Sequence, residues 1–128
     1  MKLAITLVTF IVSLNLFGQQ NPDCSEVKTG TFILYDDAVG ATIIKRKKKF
    51  QTEKNDKLGV KVKYELVWLD DCTYELRGIR SYKGPEEYRG LDTDILTTEI
   101  LWIRDGQMRV RSSSNFSEMV VEVEMDIL

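Results

Sequence analysis

From residue 60 onward, apolar and polar side chains alternate one for one. Val60, Val62, Tyr64, Leu66 and Trp68 share one parity, and Lys61, Lys63 and Glu65 the other. A period of two puts the first set on one face of a strand and the second on the opposite face. Asp70-Asp71 then turn the chain, and Cys72, Tyr74 and Leu76 alternate with Thr73, Glu75 and Arg77. The two runs make a hairpin with one dry and one wet face, which an antiparallel sheet permits. Asp105-Gly106 is the strongest turn signal, lying between Ile100-Leu101-Trp102-Ile103 and Met108-Arg109-Val110. The C-terminal run sets Met119, Val121, Val123, Met125 and Ile127 inward against Glu122, Glu124 and Asp126, and predicts a final strand.

Earlier strands are less regular. Thr31 to Tyr35 is aromatic and β-branched, and Thr42 to Arg46 and Phe50 to Lys54 form a second hairpin that turns among Lys47, Lys48 and Lys49. Lys83 to Asp94 contains Gly84, Pro85 and Gly90 with no apolar period, so it reads as the longest loop, with one helical turn after Pro85. Seven or eight short strands joined by sequential turns give an all-β fold. The expected architecture is a single antiparallel meander closed into a small lipocalin-like barrel or half-barrel, with a β-sandwich as the alternative. A chain of 128 residues leaves no room for a second core.

The N-terminus follows a different pattern. Lys2 precedes an apolar run from Leu3 to Phe17, interrupted only by Thr6, Thr9, Ser13 and Asn15. A basic start and an apolar stretch of about 15 residues are those of a secretory signal peptide, and the run is shorter than the roughly 20 residues that span a bilayer. With Gly18 as the small residue at its end, residues 1–18 are expected to be removed, leaving residues 19–128 as a single secreted or periplasmic β domain that does not span the membrane. Cleavage takes Lys2 from the 18 basic residues and leaves 17 against 20 acidic ones, a net charge of −3. Both Cys24 and Cys72 fall in the exported part. Without a CxxC spacing, and without a histidine to complete a zinc site, a structural disulfide is the expectation over a redox or metal pair.

The lack of histidine also excludes Ser-His-Asp triads, Cys-His pairs and HExxH zinc sites. Ser112-Ser113-Ser114 therefore has no imidazole base. The carboxylate pairs Asp36-Asp37, Asp70-Asp71, Glu86-Glu87 and Asp92 with Asp94 sit in predicted turns, where aspartate bonds to backbone and water covers the charge. Counting from Asp92, the glycine and glutamate positions of an EF-hand fall on Thr97 and Ile103, so no calcium loop forms. No catalytic residue, metal or cofactor is expected. Lys45-Arg46-Lys47-Lys48-Lys49 is the sharpest charge feature: a solvated hairpin tip, or a site for an anion such as an acidic polysaccharide or lipid head group. The net charge and export argue against nucleic acid. Tyr64, Trp68 and Tyr74 share an inward face with Trp102 on a later strand. They either line a cavity for a small apolar ligand or fill the core. Asn115-Phe116-Ser117 fits a glycosylation sequon.

The order Cys24, Gly30-Thr31-Phe32, Ile43-Ile44-Lys45-Arg46, Phe50-Gln51-Thr52-Glu53, then Trp68-Leu69-Asp70-Asp71-Cys72-Thr73-Tyr74-Glu75-Leu76, resembles a functionally uncharacterised group of small secreted proteins of Bacteroidetes. Its members sometimes carry a topoisomerase IV label, which nothing in these residues supports. Gly30-Thr31-Phe32 also resembles the Gly-x-Trp opening of lipocalin-like barrels, with phenylalanine in place of tryptophan. The functional expectation is a non-enzymatic binding domain for a small apolar molecule or an envelope partner. The alternatives are a structural envelope protein and, behind it, a carboxylate-dependent hydrolase.

Overall fold

A computed structural model describes residues 22–128; the predicted signal peptide lies outside the described residues. Eight antiparallel strands follow one another around a closed barrel. They are β1 (Gly30–Asp36), β2 (Gly40–Arg46), β3 (Phe50–Asn55), β4 (Val60–Trp68), β5 (Thr73–Lys83), β6 (Ile95–Arg104), β7 (Gln107–Ser114) and β8 (Val121–Ile127). The last strand returns to the first through Phe32↔Ile127 and Ile33↔Asp126. This two-residue seam closes the sheet on itself, and closure replaces both the sandwich and the half-barrel alternatives.

The alternation along β4 and β5 holds in space. Val62, Leu66, Tyr74 and Leu76 are buried, and Leu66↔Leu76 and Trp68↔Tyr74 face each other across the hairpin. Asp105 and Gly106 have φ of 53° and 73°, the left-handed pair that a two-residue hairpin turn requires. The Lys83–Asp94 stretch is a loop with one 3₁₀ turn, Glu86–Tyr88, directly after Pro85. Two expectations need correction. The β6 strand starts at Ile95, earlier than the Ile100 run indicated. Met119 lies outside β8 and is 70% exposed, and Val121 is 44% exposed at the barrel rim, so only Val123, Met125 and Ile127 turn toward the core.

A meander sends successive turns to alternate ends, so the barrel has two distinct ends. One end collects the β2–β3, β4–β5 and β6–β7 turns, and the segment preceding β1 closes it. There Asp23 caps a 3₁₀ turn, Cys24–Val27, by accepting from the Ser25 N–H at 3.1 Å, and Val27 and Cys24 are fully buried. A Cys24–Cys72 disulfide with Cα atoms 5.5 Å apart ties this plug to the β4–β5 turn. Lys28 holds the same junction: its ammonium lies 3.6 Å from the centroid of the Trp68 ring and donates to the Asp71 carbonyl. The other end collects the β1–β2, β3–β4, β5–β6 and β7–β8 connections and has no plug among the described residues.

The bridge closes a loop across a sequence separation of 48 residues. In the chain-entropy treatment, a loop of that size is worth about 4 kcal/mol. The Cys24→Ser/Cys72→Ser double variant should lose about that much unfolding free energy in urea titration, and a loss below about 1 kcal/mol would contradict the assigned role. Intact mass of the protein purified from its own host should show both sulfurs oxidised; two free thiols would refute the bridge.

Candidate functional site

Strand parity settles where each candidate side chain goes. Ile44 points inward and is buried, so Arg46, two residues on, points inward too and is 1% exposed. Each of its three nitrogens donates one hydrogen bond. Nε donates to Gln51 Oε1, Nη1 to the Val27 carbonyl and Nη2 to the Tyr74 hydroxyl, each at 2.8 Å. The guanidinium also lies 4.6 Å from the Phe32 ring centroid and 4.4 Å from that of Tyr74, an arrangement that favours a cation held between ring faces. Burial lowers the Arg46 pKa, opposed by Tyr74 and Glu53, but guanidinium starts so high that it stays charged. Arg46 therefore welds β2, β3, β5 and the N-terminal plug together, and it is not part of a surface anion site. Of the basic run, Lys45, Lys47, Lys48 and Lys49 are the exposed members.

From Arg46 the polar chain continues toward the open end. Gln51 is buried and donates to Glu53 Oε2 at 2.9 Å. Inward-facing Gln51, Glu53 and Asn55 make β3 polar on the inside, and Phe50 faces outward beneath Lys63. Asn55 is 5% exposed. It donates to the Val39 carbonyl at 2.9 Å and to Thr42 Oγ1 at 3.1 Å, and it accepts from the Leu58 N–H at 2.9 Å, which fixes the two turns that border the mouth.

The mouth holds a cavity of two lobes. One, of about 240 Å³, is lined by Glu53, Tyr64, Leu76 and Leu96 at depth and by Tyr88, Leu91, Asp94 and Phe116 from the loops. The other, about 270 Å³, shares Glu53, Tyr64 and Tyr88 with the first and is walled by Val60, Val62 and Leu58. Space for the first lobe comes from an irregular register between β4 and β5, where Tyr64 faces Ile79 and Glu65 faces Arg77. Gly78 lies in that irregularity with φ of 57°, a left-handed conformation that bulges the strand without placing a side chain in the cavity. Two carboxylates, Glu53 and Asp94, border this lobe with no lysine or arginine in its wall. Asp94 Oδ2 accepts from the Leu91 N–H at 3.0 Å and so shapes the loop. Glu53 has one oxygen committed to Gln51. Burial raises its pKa, partly countered by Gln51 and Arg46. Tyr64 is likewise raised, by burial first and then by the Glu53 and Asp94 charges.

The four aromatic candidates separate. Tyr64 lines the cavity. Tyr74 is 2% exposed, and Trp68 packs against it with ring centroids 5.0 Å apart; both fill the closed end. Trp102 lies against Arg104, 3.9 Å from its guanidinium, and belongs to neither cavity nor core cluster. The turn carboxylates act as turn residues: Asp36 accepts from the Ala38 and Val39 N–H groups, and Asp70 from the Cys72 N–H. Among the described residues, no three carboxylate or thiol side chains gather as metal ligands. Asn115 of the sequon donates to the Thr93 carbonyl and accepts from the Ile95 N–H, pinning the β5–β6 loop to the start of the β7–β8 loop. No protein-family model, no curated protein and no solved structure matches the chain.

Sequence reasoning passed over Glu53, Tyr88, Leu91 and Phe116. The first was legible by parity, because the pairing Arg46↔Gln51 fixes the register that turns Gln51 and Glu53 inward. The loop residues had no periodic signal.

Removing one member of a buried, fully bonded charge network leaves its partners unpaired. Arg46→Met should therefore cost about 3 kcal/mol of unfolding free energy, and a neutral or stabilising result would show that the network does not hold the plug. Glu53 gives a pH signature. A carboxyl whose pKa is raised in the fold contributes stability that is complete below the unfolded value near 4.5 and is lost as pH rises through the folded value. Wild-type stability should thus decline across that window relative to Glu53→Gln; parallel urea midpoints for the two proteins would contradict the assignment.

Proposed function

We propose that this chain is a secreted or periplasmic, non-enzymatic binding domain whose open barrel end takes a small, largely apolar molecule. The observation that carries this reading is the two-lobed cavity at the mouth, apolar and aromatic along most of its wall, with Glu53 on its floor and Arg46 behind it. Pockets of this kind orient a ligand through a few polar groups and bind it through apolar area. With carboxylates as the only charged groups lining the first lobe, the favoured ligand carries a hydrogen-bond donor or a cationic amine at the end that enters first. Export is supported by the N-terminal sequence and agrees with the Cys24–Cys72 bridge, which persists in oxidising compartments. The Trp68–Leu76 hairpin supports membership of the small secreted Bacteroidetes group.

A second reading is favoured by one observation: Glu53 and Asp94 border the same lobe, and a carboxyl with a raised pKa beside another carboxylate is the equipment of a glycoside hydrolase. Against it, Asp94 is engaged as a loop cap. Native mass spectrometry of protein purified from its own host distinguishes these readings. A retained small molecule, lost from Glu53→Gln and recovered chemically unchanged after release, is the expected result. In titration with a medium-chain alkylamine, Glu53→Gln should weaken binding about tenfold, the value of one charge-assisted hydrogen bond. Turnover of glycosides that Glu53→Gln abolishes would overturn the binding reading.

A further inference from the structure

Outside the barrel the charges divide by strand. On the side built from β5 to β8, four arginines are paired, Arg77 with Glu75, Arg80 with Glu65 of β4, Arg109 with Glu122 at 3.0 Å and Arg111 with Glu122 at 3.1 Å, while exposed Arg104 lies over the Trp102 ring. The opposite side, β2, β3 and the start of β4 with Lys83 at the end of β5, carries lysines instead. The register sets Lys54 opposite Lys61 and Lys61 opposite Lys83, a row of three ammonium groups on successive strands. Neighbouring strands are about 4.8 Å apart, and like charges directly opposite destabilise a sheet. The only ion pair of these lysines among the described residues is Lys54 with Asp56, at 3.6 Å and largely solvated. Beside the row runs a groove of about 350 Å³, lined by Ile43, Lys45, Lys47, Thr52, Lys54 and Lys61.

We propose that this outer face binds a flexible acidic polysaccharide, its carboxylate or sulfate groups lying across the strands on Lys54, Lys61 and Lys83 and along the groove on Lys45 and Lys47. The site is separate from the mouth cavity and does not depend on what that cavity holds. A polymer fits better than a membrane. Strands β2 to β5 are half of an eight-stranded closed barrel, so their side chains diverge around the curve; a flexible chain can follow that curve, whereas a flat bilayer touches only part of it. A polysaccharide also fits better than single-stranded nucleic acid, which relies on bare aromatic platforms between the cations. The aromatic ring among these lysines, Phe50, is covered by Lys63, whose ammonium lies 4.4 Å from the ring centroid.

The probe is a heparin octasaccharide immobilised on a sensor surface, with the full oxidised chain in about 0.1 M salt, where charges within roughly 10 Å still interact. Lys54→Gln/Lys61→Gln should weaken binding by about tenfold or more and flatten its dependence on salt, while Arg104→Gln/Arg111→Gln, which removes equal charge from the other side, should bind like wild type. Thermal unfolding of the lysine variant should stay level or rise, since the opposed charges are relieved. Equal loss in both variants would reduce the effect to net charge and overturn the proposal. So would unchanged binding in the lysine variant, or tighter binding to phosphatidylglycerol vesicles or to an oligothymidine than to the octasaccharide.

Discussion

Arg46 is the constraint around which the rest is arranged. A guanidinium that is 1% exposed inside a small barrel is tolerable only with its donors satisfied, and three separate elements supply the acceptors: the Gln51 side chain, the Tyr74 hydroxyl and the Val27 carbonyl. Each acceptor fixes something else. Gln51 sets the polar inner face of β3, Tyr74 brings Trp68 into contact, and Val27 requires the N-terminal segment to fold back over the barrel end. The Cys24–Cys72 bridge and the Lys28–Trp68 stack then hold that segment where Arg46 needs it.

A filled, cross-braced half lets the other half remain open. Core residues such as Phe32, Ile44, Leu66, Tyr74, Met108 and Val110 supply the apolar burial. The mouth, by contrast, is shaped by hydrogen bonds to turns and loops, from Asn55, Asp94 and Asn115. A carboxyl such as Glu53 can face a cavity there because Gln51 and the Arg46 charge behind it offset part of its desolvation. The polar chain thus links the filled end to the open end through Gln51.

The fold was legible where burial imposes a period of two. The β4–β5 hairpin, the Asp105-Gly106 turn, the loop after Lys83 and the disulfide could all be read from residue order. The strand β3 was legible too, but not its facing: Gln51, Glu53 and Asn55 turn inward and Phe50 outward, the reverse of the hydrophobic rule, because Arg46 demands a polar partner across the hairpin. The same inversion hid the site. A basic run reads as surface, yet its second member is the most deeply placed charge in the barrel. The aromatic stripe on β4 and β5 reads as one lining, yet it spans two ends with different roles, so Tyr64 meets the cavity while Trp68 and Tyr74 close the core. The contributions of Tyr88, Leu91 and Phe116 depend on how two long loops come together, which residue order alone does not fix.

Backbone amide hydrogen exchange, read residue by residue in wild type and in Arg46→Met, tests the two-ended account most directly. The account predicts that amides of Ile44, Gln51, Leu66 and Tyr74 exchange only through global unfolding in the wild type, while those of the Lys83–Asp94 and 115–120 loops exchange through local opening. In Arg46→Met the closed-end amides should fall into the fast class. Uniform protection at both ends, or closed-end protection that survives loss of Arg46, would contradict it.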